Sequence, residues 1–167
     1  MSIHEMLVPT YRNMLRAVTG MIDKAAGHGE ELLEARLAED MFPLAHQFRF
    51  VANMPGEALA RIAGADFTSR DENPASFAKA RAWIAETLAL VEQVAPRDFM
   101  DPAQEFDMTL PNGMTFHLSA LAYARDWALP NFYFHTSTAY AIMRANGVSL
   151  GKADLVPHMG RYIKQPG

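Results

Sequence analysis

The segment Leu129-Pro130-Asn131-Phe132-Tyr133-Phe134-His135-Thr136-Ser137-Thr138-Ala139-Tyr140 constrains the fold more than any other part of the chain. It reads as the start of a helix that is apolar on several sides and carries one polar stripe. At ~100° per residue, Asn131, His135 and Thr138 share a face that Ile142 continues. Phe132, Phe134, Ala139, Ala141 and Met143 make other sides apolar. A helix with so little polar surface must be buried nearly all round, which calls for a bundle of helices. The polar stripe needs partners, so it is either a buried hydrogen-bond network or a site.

Three further segments supply the other helices. Leu7, Met14 and Met21 recur at heptad spacing, with Tyr11, Leu15, Val18 and Ile22 beside them, and predict helix one from Ile3 or Met6 to Ala26. Pro9 fits only near its first turn. Gly27-His28-Gly29 ends it, and a charged stretch from Glu30 to Asp40 follows, anchored by Leu32, Leu33 and Leu37. Asp40 ahead of Pro43 predicts the start of helix two, which runs to Gly64 with a kink at Pro55-Gly56. Asn73-Pro74 predicts the cap and first residue of helix three, which carries Phe77, Ile84, Leu88 and Val91 on one face and stops at Pro96.

Between helices three and four, Phe106, Met108 and Leu110 alternate before Pro111-Asn112-Gly113, and Met114, Phe116 and Leu118 alternate after it. A three-residue loop with Gly113 left-handed pairs Leu110 with Met114 and Met108 with Phe116. It keeps both apolar sets on one face, which a two-residue loop would not. Ser119 to Trp127 is expected as a short helix, and Pro130 as the opening of helix four, which Gly147 caps. The tail from Val148 to Gly167, with Gly151, Pro157, Gly160 and Pro166, is expected as a strap on the bundle. The expected fold is all-α: an antiparallel four-helix bundle with a small β-hairpin near residues 106–118, one domain over residues 1–167.

Composition narrows the chemistry. The 167 residues carry a net charge of −4 and no basic run, so nothing points to nucleic acid. There is no cysteine, hence no thiolate ligand, cysteine nucleophile or disulfide within the chain. No stretch reaches the ~18 apolar residues of a membrane span, and the first residues lack the pattern of a signal peptide. The expected location is cytoplasmic. Gly147-Val148-Ser149-Leu150-Gly151-Lys152 has the wrong spacing and context for a phosphate loop, and Lys152 and Asp154 are expected to pair locally or fold over a pocket mouth. His4, His117 and His158 are scattered, and the acidic residues from Asp98 to Asp107 read as a solvated loop.

Three phrases carry a family likeness: Glu39-Asp40-Met41-Phe42-Pro43-Leu44, Leu129-Pro130-Asn131-Phe132-Tyr133-Phe134-His135, and Gly147-Val148-Ser149-Leu150-Gly151-Lys152-Ala153-Asp154. Together they resemble the DinB-like clan of bacterial four-helix bundles, in a branch known only as a domain of unknown function. The resemblance spans nearly the whole chain. It implies a pocket between helices two and four that holds a small molecule. Relatives in the clan hold a divalent metal, zinc or nickel, through one histidine of the second helix and a His-x-x-x-His pair on the last. Some are thiol-dependent transferases, and a transferase or hydrolase activity is what the resemblance implies here. By position the ligands would be His46, Asn131 and His135; Asn131 stands where the pair has its first histidine, which leaves a degraded set for zinc.

The ligand-binding residues expected are therefore His46, Asn131, His135 and Thr138, with His135 as the candidate catalytic group, a ligand or base. His46 lies off the core face of helix two between Phe42 and Phe50. The alternative is a non-enzymatic homodimer in which His135 is structural. Phe132, Tyr133, Tyr140 and Met143 leave helix four with surplus apolar surface that a second copy would cover.

Overall fold

The computed structural model describes residues 1–164; residues 165–167, including Pro166, lie outside the described residues. Four long helical segments form an antiparallel bundle with a two-stranded hairpin, as expected. The elements are α1 (Ile3–Ala25), α2 (Leu44–Ala63), α3 (Phe77–Gln93), β1 (Glu105–Thr109), β2 (Thr115–Ser119), α4 (Ala120–Ala122), α5 (Leu129–Ala145) and α6 (Lys152–Leu155). α1 packs on α3 and α5, and α2 packs on the same two helices, so the four close around one core. Among the described residues no helix is long and apolar enough to cross a membrane.

Local chemistry sets the ends of these elements. Ser2 caps α1 by accepting from Glu5 N–H at 3.2 Å, and the Glu5 carboxylate accepts Ser2 N–H at 2.7 Å. These bonds hold the Glu5 carboxyl below its usual range. The helix continues through Pro9 in its second turn, further in than expected. Pro43 is the residue before α2 rather than part of its first turn. α3 is capped by Ser76, which accepts Lys79 N–H at 3.0 Å, so Asn73-Pro74 precedes the helix instead of starting it. A hydroxyl three residues before a free amide outcompeted the Asn-Pro signal.

α2 runs through Pro55 without ending. Around this interruption the Ala52 carbonyl accepts the buried Thr87 hydroxyl of α3 at 2.6 Å and Arg70 Nη1 at 3.3 Å. Asn53 also bonds the backbone of Arg70 in both directions, at 2.9 and 3.2 Å. The loop after α2 is thereby laid back on the helix, and Phe67 presses on Gly56. A β-carbon at position 56 would lie 2.3 Å from the Phe67 ring, so only glycine fits there.

The hairpin has the register that keeps its apolar residues together: Met108 faces Phe116 and Thr109 faces Thr115. Leu110 N–H donates to the Met114 carbonyl at 2.8 Å, and Gly113 takes φ of +85°. Met108 is buried, whereas Asp107 and His117 face outward. Gly147, with φ of +90°, turns the chain after α5. Val148 and Leu150 are then buried, and Asp154 pairs with Lys24 at 2.7 Å, which straps the tail to α1 rather than over a pocket.

The largest departure from expectation concerns helix four. It begins at α4, capped by Ser119, which accepts Ala122 N–H at 3.2 Å, and runs without a break into α5 through a π-helical turn, Tyr123–Ala128. Leu129 N–H donates to the Ala124 carbonyl, five residues back. The wider turn lets the helix continue into Pro130, whose missing N–H would otherwise end it.

The seat of Phe67 on Gly56 is testable. Gly56→Ala is expected to destabilise the fold by about 2 kcal/mol in denaturant unfolding, the usual cost of overpacking. In a Phe67→Ala background most of that penalty should vanish; an equal penalty in both backgrounds would show that the contact is not the cause.

Candidate functional site

The π turn forms one wall of a cavity between α2, the hairpin and the start of α5. Tyr123, Trp127 and Asn131 follow one another at four-residue spacing along it. Glu57 and Arg61 of α2 face them, and the hairpin from Met108 to Pro111 closes the end. The cavity measures about 350 Å³ and widens past Pro111 and Trp127 toward Phe50 and Asn53. π turns are rare and recur at functional sites, because the extra residue re-aims side chains along a helix. Phe106 and Phe116 of the hairpin pack on Tyr123 and Trp127 with ring centres 5.6 and 5.5 Å apart, which fixes the wall.

The polar groups of this groove are held in set positions. Ser69 donates to Glu57 Oε1 at 2.6 Å. The Arg61 guanidinium lies over the Tyr123 ring at 5.7 Å and the Phe106 ring at 5.9 Å. Burial raises the Tyr123 phenol above its usual range, and the neighbouring Arg61 charge partly offsets that rise. Asn131 Nδ2 donates to the Trp127 carbonyl at 2.8 Å, a bond to the preceding turn that ties up its amide nitrogen.

His135 stands one turn beyond Asn131, its ring centre 4.5 Å from that of Phe50. Its partner is Gln47, only 1 % exposed, with Nδ1 and Oε1 2.8 Å apart. Gln47 Nε2 donates to the Phe42 carbonyl at 2.9 Å. That carbonyl can only accept, so the amide nitrogen must face it and the amide oxygen must face His135. The proton of the neutral imidazole therefore sits on Nδ1, and Nε2 keeps its lone pair. Burial lowers the His135 pKa to about 4.

The structure brings together only part of the expected set. Asn131 lines the groove, and His135 adjoins it through Phe50. Thr138 is buried a turn further along α5. His46 turns away from His135: its Nδ1 lies 2.8 Å from Asn73 Nδ2, and it stacks on Phe42 at 4.9 Å with Phe50 on its other side. Among the described residues no group of three histidine, cysteine or acidic side chains could hold a metal. The residue of α2 that meets His135 is an amide, and position 131 offers only a neutral amide oxygen where the pair would have an imidazole. This donor set does not fit the metal of three histidines that the clan resemblance implies.

Sequence reasoning missed Gln47, Glu57, Arg61, Tyr123 and Trp127. Gln47 carried a signal, since it occupies the heptad position between Leu44 and Val51 on the core stripe of α2. Glu57 and Arg61 read as an ordinary solvated pair. Tyr123 and Trp127 depend on the π turn, which no sequence period announces.

Two histidines should titrate on opposite sides of the ordinary value. His117, bonded to Asp107 at 2.8 Å and then Glu105 at 3.3 Å, is raised, whereas His135 is lowered. The neutral form of His135 is favoured by folding, so its contribution to stability is whole above 6.5 and is lost as pH falls from 6.5 to about 4. The His117 contribution is whole below 6.5 and is lost as pH rises through its higher folded value. Ring-proton NMR should place the His117 midpoint above 6.5 and find His135 neutral until pH is near 4. A His135 midpoint at the ordinary value would refute the buried, Gln47-bonded ring.

A family model described as Domain of unknown function (DUF1993) matches residues 3–156. Among solved structures, the crystal structure of a DinB family member protein from Shewanella denitrificans is similar to this chain with a TM-score of 0.83 and 30% sequence identity. The match covers 98% of this chain and 95% of that one. No curated protein matches. With the model covering nearly the whole chain and the bundle matching end to end, this chain belongs to the DUF1993 family of domains of unknown function and has the DinB-like fold.

Proposed function

We propose that this protein binds a small molecule in the groove between α2 and the π turn. One observation carries the reading: a π turn aims Tyr123, Trp127 and Asn131 into a 350 Å³ cavity that also holds a carboxylate and a guanidinium. Cavities of this size, with apolar walls and a few convergent polar groups, are what small ligands occupy. His135, packed on Phe50 of the outer groove, is a neutral imidazole whose Nε2 keeps its lone pair.

Binding is favoured over proton-transfer catalysis by magnitude. A general base works best with a pKa near the operating pH, and His135 sits at about 4. At neutral pH it is always deprotonated and therefore a dependable acceptor, but a weak base. The hydrolytic or thiol-transfer chemistry of the clan would need a ligand or substrate group that raises that value.

A second reading, a homodimer through α2 and α5, has its own observation. Phe42 and Phe134 are 54 % and 55 % exposed and flank the ring sequence His46, Phe50 and His135. Sedimentation at micromolar concentration should show a dimer that Phe134→Glu converts to monomer; a monomeric wild type ends this reading.

For the groove, Trp127 is the probe. With Trp83→Phe to leave one indole, a fragment panel followed by ¹⁵N-indole NMR should shift the Trp127 signal, and Asn131→Ala should weaken the same fragments by about tenfold. A panel that leaves Trp127 unmoved overturns the reading.

A further inference from the structure

Glu57 and Arg61 stand four residues apart on α2, with the acidic residue first. This is the order and spacing in which such a pair joins most readily on a helix. They do not join: among the described residues no ion pair links them. Each is held elsewhere. Ser69 takes one oxygen of Glu57 at 2.6 Å, and the rings of Phe106 and Tyr123 lie 5.9 and 5.7 Å from the Arg61 guanidinium. Neither ring supplies a carboxylate, and a guanidinium has five N–H donors in a planar fork with which to meet one. The other two arginines at the groove are occupied: Arg49 donates to the Asp71 carbonyl, and Arg70 pairs with Glu86 at 2.7 Å.

Two opposite charges kept apart on the α2 wall of one cavity, facing Tyr123 and Trp127, describe a ligand with the complementary pair. We propose that the groove takes a small zwitterion, its carboxylate on Arg61, its ammonium on Glu57, and its side chain against Trp127. This rests on the groove reading above and adds the ligand class. A simple carboxylate would leave Glu57 repelling it, and a simple amine would leave Arg61 doing so. Ser69 holds one oxygen of Glu57 in place, and Phe106 of the hairpin lies against Arg61. The hairpin thereby has a part in recognition.

The test uses the single-indole protein with L-phenylalanine, N-acetyl-L-phenylalanine and L-phenylalaninamide. The free amino acid is expected to shift Trp127, and each blocked form to bind at least about tenfold more weakly. Glu57→Gln should erase the penalty for acetylation, and Arg61→Gln the penalty for the amide; Arg61→Lys, which keeps the charge without the fork, should fall between. Equal binding of all three forms, or of the free amino acid to wild type and both glutamine variants, overturns the zwitterion. If fragments of other chemistry move Trp127 while phenylalanine does not, the zwitterion fails and the groove stands. If nothing moves it, both fail.

Discussion

Two helices that face each other each carry an internal proline, and the way their backbones are repaired builds the groove. A proline removes one donor from the ladder and crowds the turn before it. In α2 the missing N–H of Pro55 takes the helical donor from the Val51 carbonyl, and the next carbonyl, that of Ala52, accepts Thr87 and Arg70 from outside the helix. These bonds, with those of Asn53 to Arg70, hold α3 and the loop after α2 on one side of the helix, where Phe67 sits on Gly56. On the opposite wall the strain ahead of Pro130 is taken up by the π turn, and Asn131 returns its amide to the Trp127 carbonyl. Ser69 is carried in by the first repair, while Tyr123 and Trp127 are re-aimed by the second. The cavity lies where the two repairs meet.

The same logic explains how charge survives there. Glu57 and Arg61 would neutralise each other on a plain helix surface. The folded loop offers Ser69 to one and the hairpin offers an aromatic sandwich to the other, so their mutual attraction is replaced by two local ones. Each replacement is of the order of an exposed hydrogen bond or cation–π contact, about 1 kcal/mol, comparable with the surface pair it prevents. Holding the charges apart thus costs the fold little and leaves both able to meet a ligand.

The bundle and the hairpin register were legible because they rest on burial periodicity, the strongest signal a sequence carries. The heptad of Leu7, Met14 and Met21 became the buried face of α1, and the demand that Met108 and Phe116 share a face fixed their pairing. The site was legible only on one wall. Asn131 and His135 stood out because polar groups are conspicuous in an apolar helix. Their counterparts did not, for three physical reasons. Gln47 was masked by the chemically louder His46 beside it. Glu57 and Arg61 look like any solvent-facing pair and stay exposed in the fold; only their contacts with Ser69 and with the rings of Phe106 and Tyr123 set them apart. Tyr123 and Trp127 were read into a separate short helix, since a proline usually starts or ends a helix and the π turn that carries α4 into α5 leaves no trace in residue spacing. Cap competition accounts for the misplaced start of α3, where Ser76 was better set than Asn73 to reach a free amide.

The Gln47–His135 contact decides what this member of the fold can do at the α2–α5 seam. An amide differs from an imidazole in offering a fixed donor and a fixed acceptor on one plane. With its donor committed to the Phe42 carbonyl, Gln47 presents only an acceptor, and this dictates the tautomer of His135. Adding a proton to Nε2 would place a charge beside Phe50 and Phe134 with no carboxylate bonded to the ring, which is why burial holds the pKa near 4. A divalent ion at Nε2 would face the same rings with a larger charge, and would find one imidazole and neutral amides rather than three histidines. The seam therefore holds a neutral acceptor in an aromatic setting, and under the proposed reading its counterpart would be a hydrogen-bond donor on the ligand rather than a cation.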